Sequence, residues 1–75
     1  MDPHWVVEHA HEVIAGQPAR VIMALSNLQE PQARESFVQA LRTEPADFRR
    51  EVVEKLGRPI RDPKELERLS KLLSD

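Results

Sequence analysis

The chain has no cysteine and only two glycines, Gly16 and Gly57, in 75 residues. Without cysteine there is no disulfide to reinforce a small core and no thiolate nucleophile, which fits a reducing cytosol without requiring one. Two isolated glycines cannot build a glycine-rich phosphate-binding loop. No apolar run approaches the ~20 residues that a membrane-spanning helix needs. Neither sign of charge dominates: the formal net charge is -2 with 32% charged residues. That is neither the strong basic excess of a nucleic-acid binder nor an acidic disordered tail. The start, Met1-Asp2-Pro3-His4, lacks the basic residues and apolar stretch of a signal peptide, so a cytoplasmic location is expected. A single domain of this size buries only roughly 60% of its unfolded surface. Its stability must come from close helix packing or from burial against another chain.

What the chain does have is proline at regular intervals, at Pro3, Pro18, Pro31, Pro45, Pro59 and Pro63. Five of these stand where a helix can start, a position at which the missing amide had no partner to lose. Between them, apolar residues recur at helical spacing, with no strand signal and no linker. The pattern predicts an all-α fold, a compact bundle of five short helices. The first, about 3–15, has Asp2 as N-cap, Gly16 as stop, and Val6, Ala10, Val13 and Ile14 on one face. The second, about 18–28, carries Val21, Ala24, Leu25 and Leu28, with Ile22 and Met23 pointing elsewhere. A helix apolar on several sides is normally surrounded, so this one is expected at the centre. The third and fourth repeat one spacing: Ala33, Phe37, Val38 and Leu41, then Phe48, Val52, Val53 and Leu56. Two units are too few for a solenoid, and a shared neighbour explains the repeat better. Leu56-Gly57 followed by Pro59 predicts a left-handed glycine stop. Asp62-Pro63-Lys64-Glu65 has the form of a capping box opening the fifth helix, whose seam is Leu66, Leu69 and Leu73.

Chemistry is less well marked. His4, Glu8 and His11 share one face of an uninterrupted first helix and have the composition of a two-histidine, one-carboxylate metal site. One straight helix does not readily converge three ligands on one ion, and a solvated face accounts for them as well. Ser26, Ser36, Ser70 and Ser74 have no nearby base pattern, and a bundle of this size has little room for a substrate pocket of ~300 Å³ or more. The expectation is therefore a non-enzymatic protein with no cofactor. Between residues 49 and 61 stand Arg49, Arg50, Lys55, Arg58 and Arg61 against only Glu51 and Glu54. Val52-Val53-Glu54-Lys55-Leu56-Gly57 resembles the first half of a helix-turn-helix. The second half departs from it, with Pro59 and Pro63 in the turn and the following helix, and Glu65 and Glu67 where phosphates would lie. Trp5, Met23 and Leu72 fall off the main stripes of their helices, and tryptophan and methionine are enriched where proteins meet.

The length and five-helix layout are similar to those of sterile alpha motif and death-fold domains. The chain lacks the late glycine-histidine-arginine signature of the first, and the second has six helices, so neither family's properties are carried over. The reading that results is a protein-protein interaction module, an adaptor or a regulatory or inhibitory subunit, docking through a helix face. Its partner would be another protein or a second copy of itself. The binding residues would be Trp5, Met23, Arg49, Arg50, Arg58, Arg61 and Leu72. The alternative is a DNA-binding transcriptional regulator using residues 49–72 as a degenerate helix-turn-helix. Salt separates the two, because binding through several phosphates weakens steeply as salt is added.

Overall fold

A computed structural model describes residues 2–74, and these are mostly helical, with no strand among them. The elements are α1 (Pro3–Glu8), α2 (Ala10–Ile14), α3 (Pro18–Asn27), α4 (Pro31–Ala40), a 3-10 turn (Leu41–Thr43), α5 (Ala46–Lys55) and α6 (Pro63–Ser74). Proline opens α1, α3, α4 and α6 at the first helical position, and Pro45 stands one place earlier, at the N-cap of α5. Asp2 caps α1 by accepting the His4 amide at 3.0 Å, and Asp62 accepts the Lys64 amide at 3.0 Å at the head of α6.

Two helices stand where one was expected over 3–15. His9 breaks the run, with φ -112 and ψ 30, and both its backbone amide and its ring Nδ1 donate to the Trp5 carbonyl. The described residues thus form six α-helices where five were expected. At the end of α2, Ala15 (φ 48) and Gly16 (φ 72) are both left-handed, so the stop begins one residue before the glycine. Gly57 does not adopt the expected left-handed conformation. Beyond α5 the chain keeps winding through short turns: the Arg58 amide donates to Lys55 and the Ile60 amide to Leu56. This delivers Ile60, 1% exposed, into the core, a role that the prolines on either side hide in the sequence.

The core gathers Val6, Ala10 and Ile14 from α1 and α2, and Val21, Ala24, Leu25 and Leu28 from α3 and its cap. Phe37, Val38 and Leu41 come from α4 and the turn after it, and Val52, Leu56, Ile60, Leu69 and Leu73 from the C-terminal half. No polar side chain is buried among the described residues. The centre of packing lies later in the chain than expected. α3 packs mainly on α2 and α5 and keeps an open side, whereas α4 packs on α1, α2 and α6. The neighbour that α4 and α5 share is α6, not α3, so the repeated spacing reflects two helices laid against one C-terminal helix.

Candidate functional site

α3 is held to the body by one stripe, and its other side is bare. Val21, Ala24 and Leu25 are buried, while Met23 is 65% exposed and Ile22 half-buried. Ser26 turns its hydroxyl back to the Ile22 carbonyl at 2.9 Å and so adds little polarity to that side. Met23 forms the ridge between two grooves. The larger, about 890 Å³, runs between α3 and the end of α5 and is lined by Ala19, Ile22 and Met23 on one wall and Glu54, Lys55 and Arg58 on the other. The smaller, about 480 Å³, lies toward α2, with Val13, Gln17, Arg20 and Ala24 beside the same methionine. Its walls are mainly apolar.

Three cations, Arg20, Lys55 and Arg58, edge this surface against one carboxylate, Glu54. Lys55 reaches Glu51 at 3.6 Å, an exposed pair one helical turn apart that stabilises little. Arg20 and Arg58 are exposed and make no ion pair with the described residues. A mainly apolar trough edged by free guanidinium groups can receive an apolar side chain and pair with acids around it.

The remaining basic residues do not join this surface. Arg49 is turned inward, donating Nε to the Glu44 carbonyl at 3.0 Å and Nη1 to the Leu73 carbonyl at 2.9 Å, so its fork ties the turn before α5 to the end of α6. Arg50 lies beside it along a small groove of about 190 Å³ with Val53 and Leu73. Arg61 is exposed on the connection between α5 and α6, and Leu72 is half-buried against the core. Trp5, 47% exposed, stacks on His9 with ring centroids 4.4 Å apart. Of the seven candidate partner-binding residues, the structure brings Met23 and Arg58 to one groove, Arg49 and Arg50 to another, and leaves Trp5, Arg61 and Leu72 apart.

The His4, Glu8 and His11 face does not assemble. His4 and Glu8 line a groove against α4, whereas His11 turns to Glu44, Nδ1 donating to Oε2 at 2.9 Å. No group of three metal-ligating side chains comes together among the described residues. The Thr43 hydroxyl lies 3.4 Å from His11 Nε2, which completes a threonine-histidine-glutamate chain that no sequence spacing announces. The same hydroxyl lies 3.4 Å from the Ala40 carbonyl, and the His11 side chain is 55% exposed. Hydrogen bonds this long and this wet tether α2 to the turn after α4 and do little to activate a nucleophile.

The glutamate expected in a capping box is employed elsewhere. Glu65 receives both Nε and Nη2 of Arg34, at 2.8 and 3.0 Å, while Arg34 Nη1 donates to the Leu28 carbonyl at 2.8 Å. One arginine thus joins α4, α6 and the end of α3, with Arg68 and Glu35 paired at 2.8 Å alongside. Along α6 the other solvent-facing charges include Glu67 and Lys71, paired with each other at 3.2 Å. No helix among the described residues is long and apolar enough to cross a membrane. No protein-family model, no curated protein and no solved structure matches the chain.

Proposed function

We propose that this protein is a non-enzymatic interaction module, an adaptor or regulatory subunit that docks a partner on the outer side of α3. The observation that carries this reading is Met23. It is a flexible, polarisable side chain, 65% exposed, standing between two grooves on a helix whose other side is fully buried. Methionine adapts its shape to a partner, and an apolar anchor within a polar rim is where binding energy concentrates. Arg58, on the facing wall, supplies a charge at that rim. Trp5, Arg49, Arg50, Arg61 and Leu72 take no part in this surface. A cytoplasmic setting is compatible with the reading, since the chain has no cysteine and so no disulfide that a reducing compartment would break.

The DNA-binding alternative gains no support from the arrangement of α6. The acids and bases of this helix are mostly paired with one another or with α4. In the 49–72 segment the cations without an ion pair to the described residues, Arg58 and Arg61 among them, stand mostly before α6 and not on the helix that would have to enter a groove.

The test is a photo-crosslinking residue placed at position 23 in cells that express the full chain, with position 39, exposed on α4, as the reference. A discrete adduct from position 23, absent from position 39 and lost when Ile22 is also changed to Ser, supports docking on α3. Equal background at both positions overturns it.

A further inference from the structure

Resting on that reading, we infer that the occupant of the α3–α5 groove is an acidic amphipathic helix from a different protein, laid along α3 with an apolar side chain on either side of Met23. The shape is the first argument. α3 spans ten residues, so the exposed trough is roughly 15 Å long, about three turns of a partner helix. Such a helix would present anchors one turn apart, the mode by which grooves of this kind take amphipathic partners. The two grooves, about 890 and 480 Å³, flank one methionine, which suits two successive anchors astride a ridge.

The charge of the rim selects the partner's flanks. Arg20 edges the smaller groove, and Lys55 and Arg58 the larger, with Glu54 the one acid among them. This is a local cationic excess on a chain whose net charge is -2. Arg20 and Arg58 are unpaired with the described residues and stand on opposite sides of Met23, so carboxylates on both flanks of a bound helix would each meet a guanidinium. The same excess argues against a second copy. A two-fold contact through this patch sets it against itself, cations on cations, and Glu54, with the Glu51 that pairs with Lys55, offsets them only in part.

The experiment displays a library of amphipathic helices with a fixed leucine seam. Their flanking positions are randomised among Asp, Glu, Lys, Arg, Ser and Gln, and selection is made against the full chain. Enrichment of Asp and Glu on both flanks is expected. Selected peptides should bind Met23→Glu and the double variant Arg20→Glu with Arg58→Glu at least about tenfold more weakly than the parent, a loss of 1.4 kcal/mol. Their charge-inverted versions should recover on the double variant. All three positions are exposed, and circular dichroism checks that the variants fold. Enrichment of Lys and Arg, no enrichment, or binders indifferent to Met23→Glu overturns the inference. So does a concentration-dependent dimer in sedimentation that Met23→Glu dissolves, which would assign the groove to a second copy. If position 23 still crosslinks a heterologous partner while the library shows no preference for acids, the docking face stands and its acidic ligand falls.

Discussion

Along the seam between α4 and α6, charged side chains close over the core. Arg34 grips Glu65 with two hydrogen bonds and the Leu28 carbonyl with a third, and Arg68 meets Glu35 beside them. On the outer side of α3 the described residues make no such closure: Met23 stands out, Ser26 bonds its own helix, and Arg20 and Arg58 make no ion pair with the described residues. Both regions rest on the same core, and both have cations within reach. They differ in where the carboxylates fall. Glu35 and Glu65 land opposite arginines across the α4–α6 seam, whereas of the acids near α3, both on α5, Glu51 pairs along its own helix with Lys55 and Glu54 makes no ion pair with the described residues. A surface whose charges are mutually satisfied has little left to offer a partner, and the one with apolar relief and unpaired guanidinium groups is where we propose that docking occurs.

The comparison breaks first at the core beneath α3, if that core is not what holds the helix. Leu25 is 1% exposed, so Leu25→Ala should destabilise by about 2–5 kcal/mol, read from a denaturant or thermal midpoint. A midpoint unchanged within error would mean that α3 is loosely attached and its open side an accident of fraying.

Next in size is the clasp on the other side. Arg34 and Glu65 side chains are only 15% and 17% exposed, and removing the arginine leaves a half-buried carboxylate and the Leu28 carbonyl without their donors. Arg34→Ala should cost about 1.5–3 kcal/mol, the range for hydrogen bonds to charged groups. Arg34→Lys should recover less than half of that, since an ammonium cannot span both carboxylate oxygens and the carbonyl. Full recovery by lysine would reduce the clasp to a point charge.

Backbone changes sharpen the picture at about 1 kcal/mol or less. Ala15 carries a β-carbon in the left-handed region, which costs ~1–2 kcal/mol, and Ala15→Gly relieves it while loosening the unfolded chain by ~0.4–1 kcal/mol. The net expectation is a gain of about 0.5–1 kcal/mol, or several degrees in a domain of this size. Gly57→Ala should also stabilise, by about 0.4–1 kcal/mol, because its φ is not positive and a β-carbon there meets no atom within 4 Å. A loss at Gly57 would restore the left-handed stop that Leu56-Gly57-x-Pro59 suggests.

These positions also mark what the sequence makes legible. Proline spacing and helical periodicity locate the helices and nearly all of the core, since both signals are local and strong: every seam residue assigned to the fifth predicted helix is buried or packed on the core. The break at His9 depends on a ring nitrogen reaching a carbonyl four residues back, which composition does not encode. The Arg34–Glu65 clasp spans 31 residues, and nothing in either helix alone separates Glu65 the cap from Glu65 the ion-pair partner. The centre of packing was misplaced for a related reason. An apolar helix is buried when it is surrounded, and equally apolar when it keeps a face for something outside the fold. Met23 and Ile22 carry both readings, and the packing of α3 against α2 and α5 shows only that this side of the helix stays uncovered by the described residues.

The smallest expected change in stability is at Met23 itself, and it separates the two readings of α3 most sharply. With 65% of the residue exposed, Met23→Ala removes little buried surface, and stability should stay within about 0.5 kcal/mol of the parent. Leu25, two positions along the same helix, should lose at least four times as much, since it lies on the buried stripe. Partner binding should respond in the opposite order. Truncating an anchor at the centre of a docking surface typically costs 2 kcal/mol or more, a roughly thirtyfold loss of affinity. The measurement is a thermal melt paired with a titration of a peptide selected on the parent chain, for Met23→Ala and for the parent. A melt that falls by more than about 1 kcal/mol at Met23 would make this side chain part of the core, and α3 would then have no face left to offer.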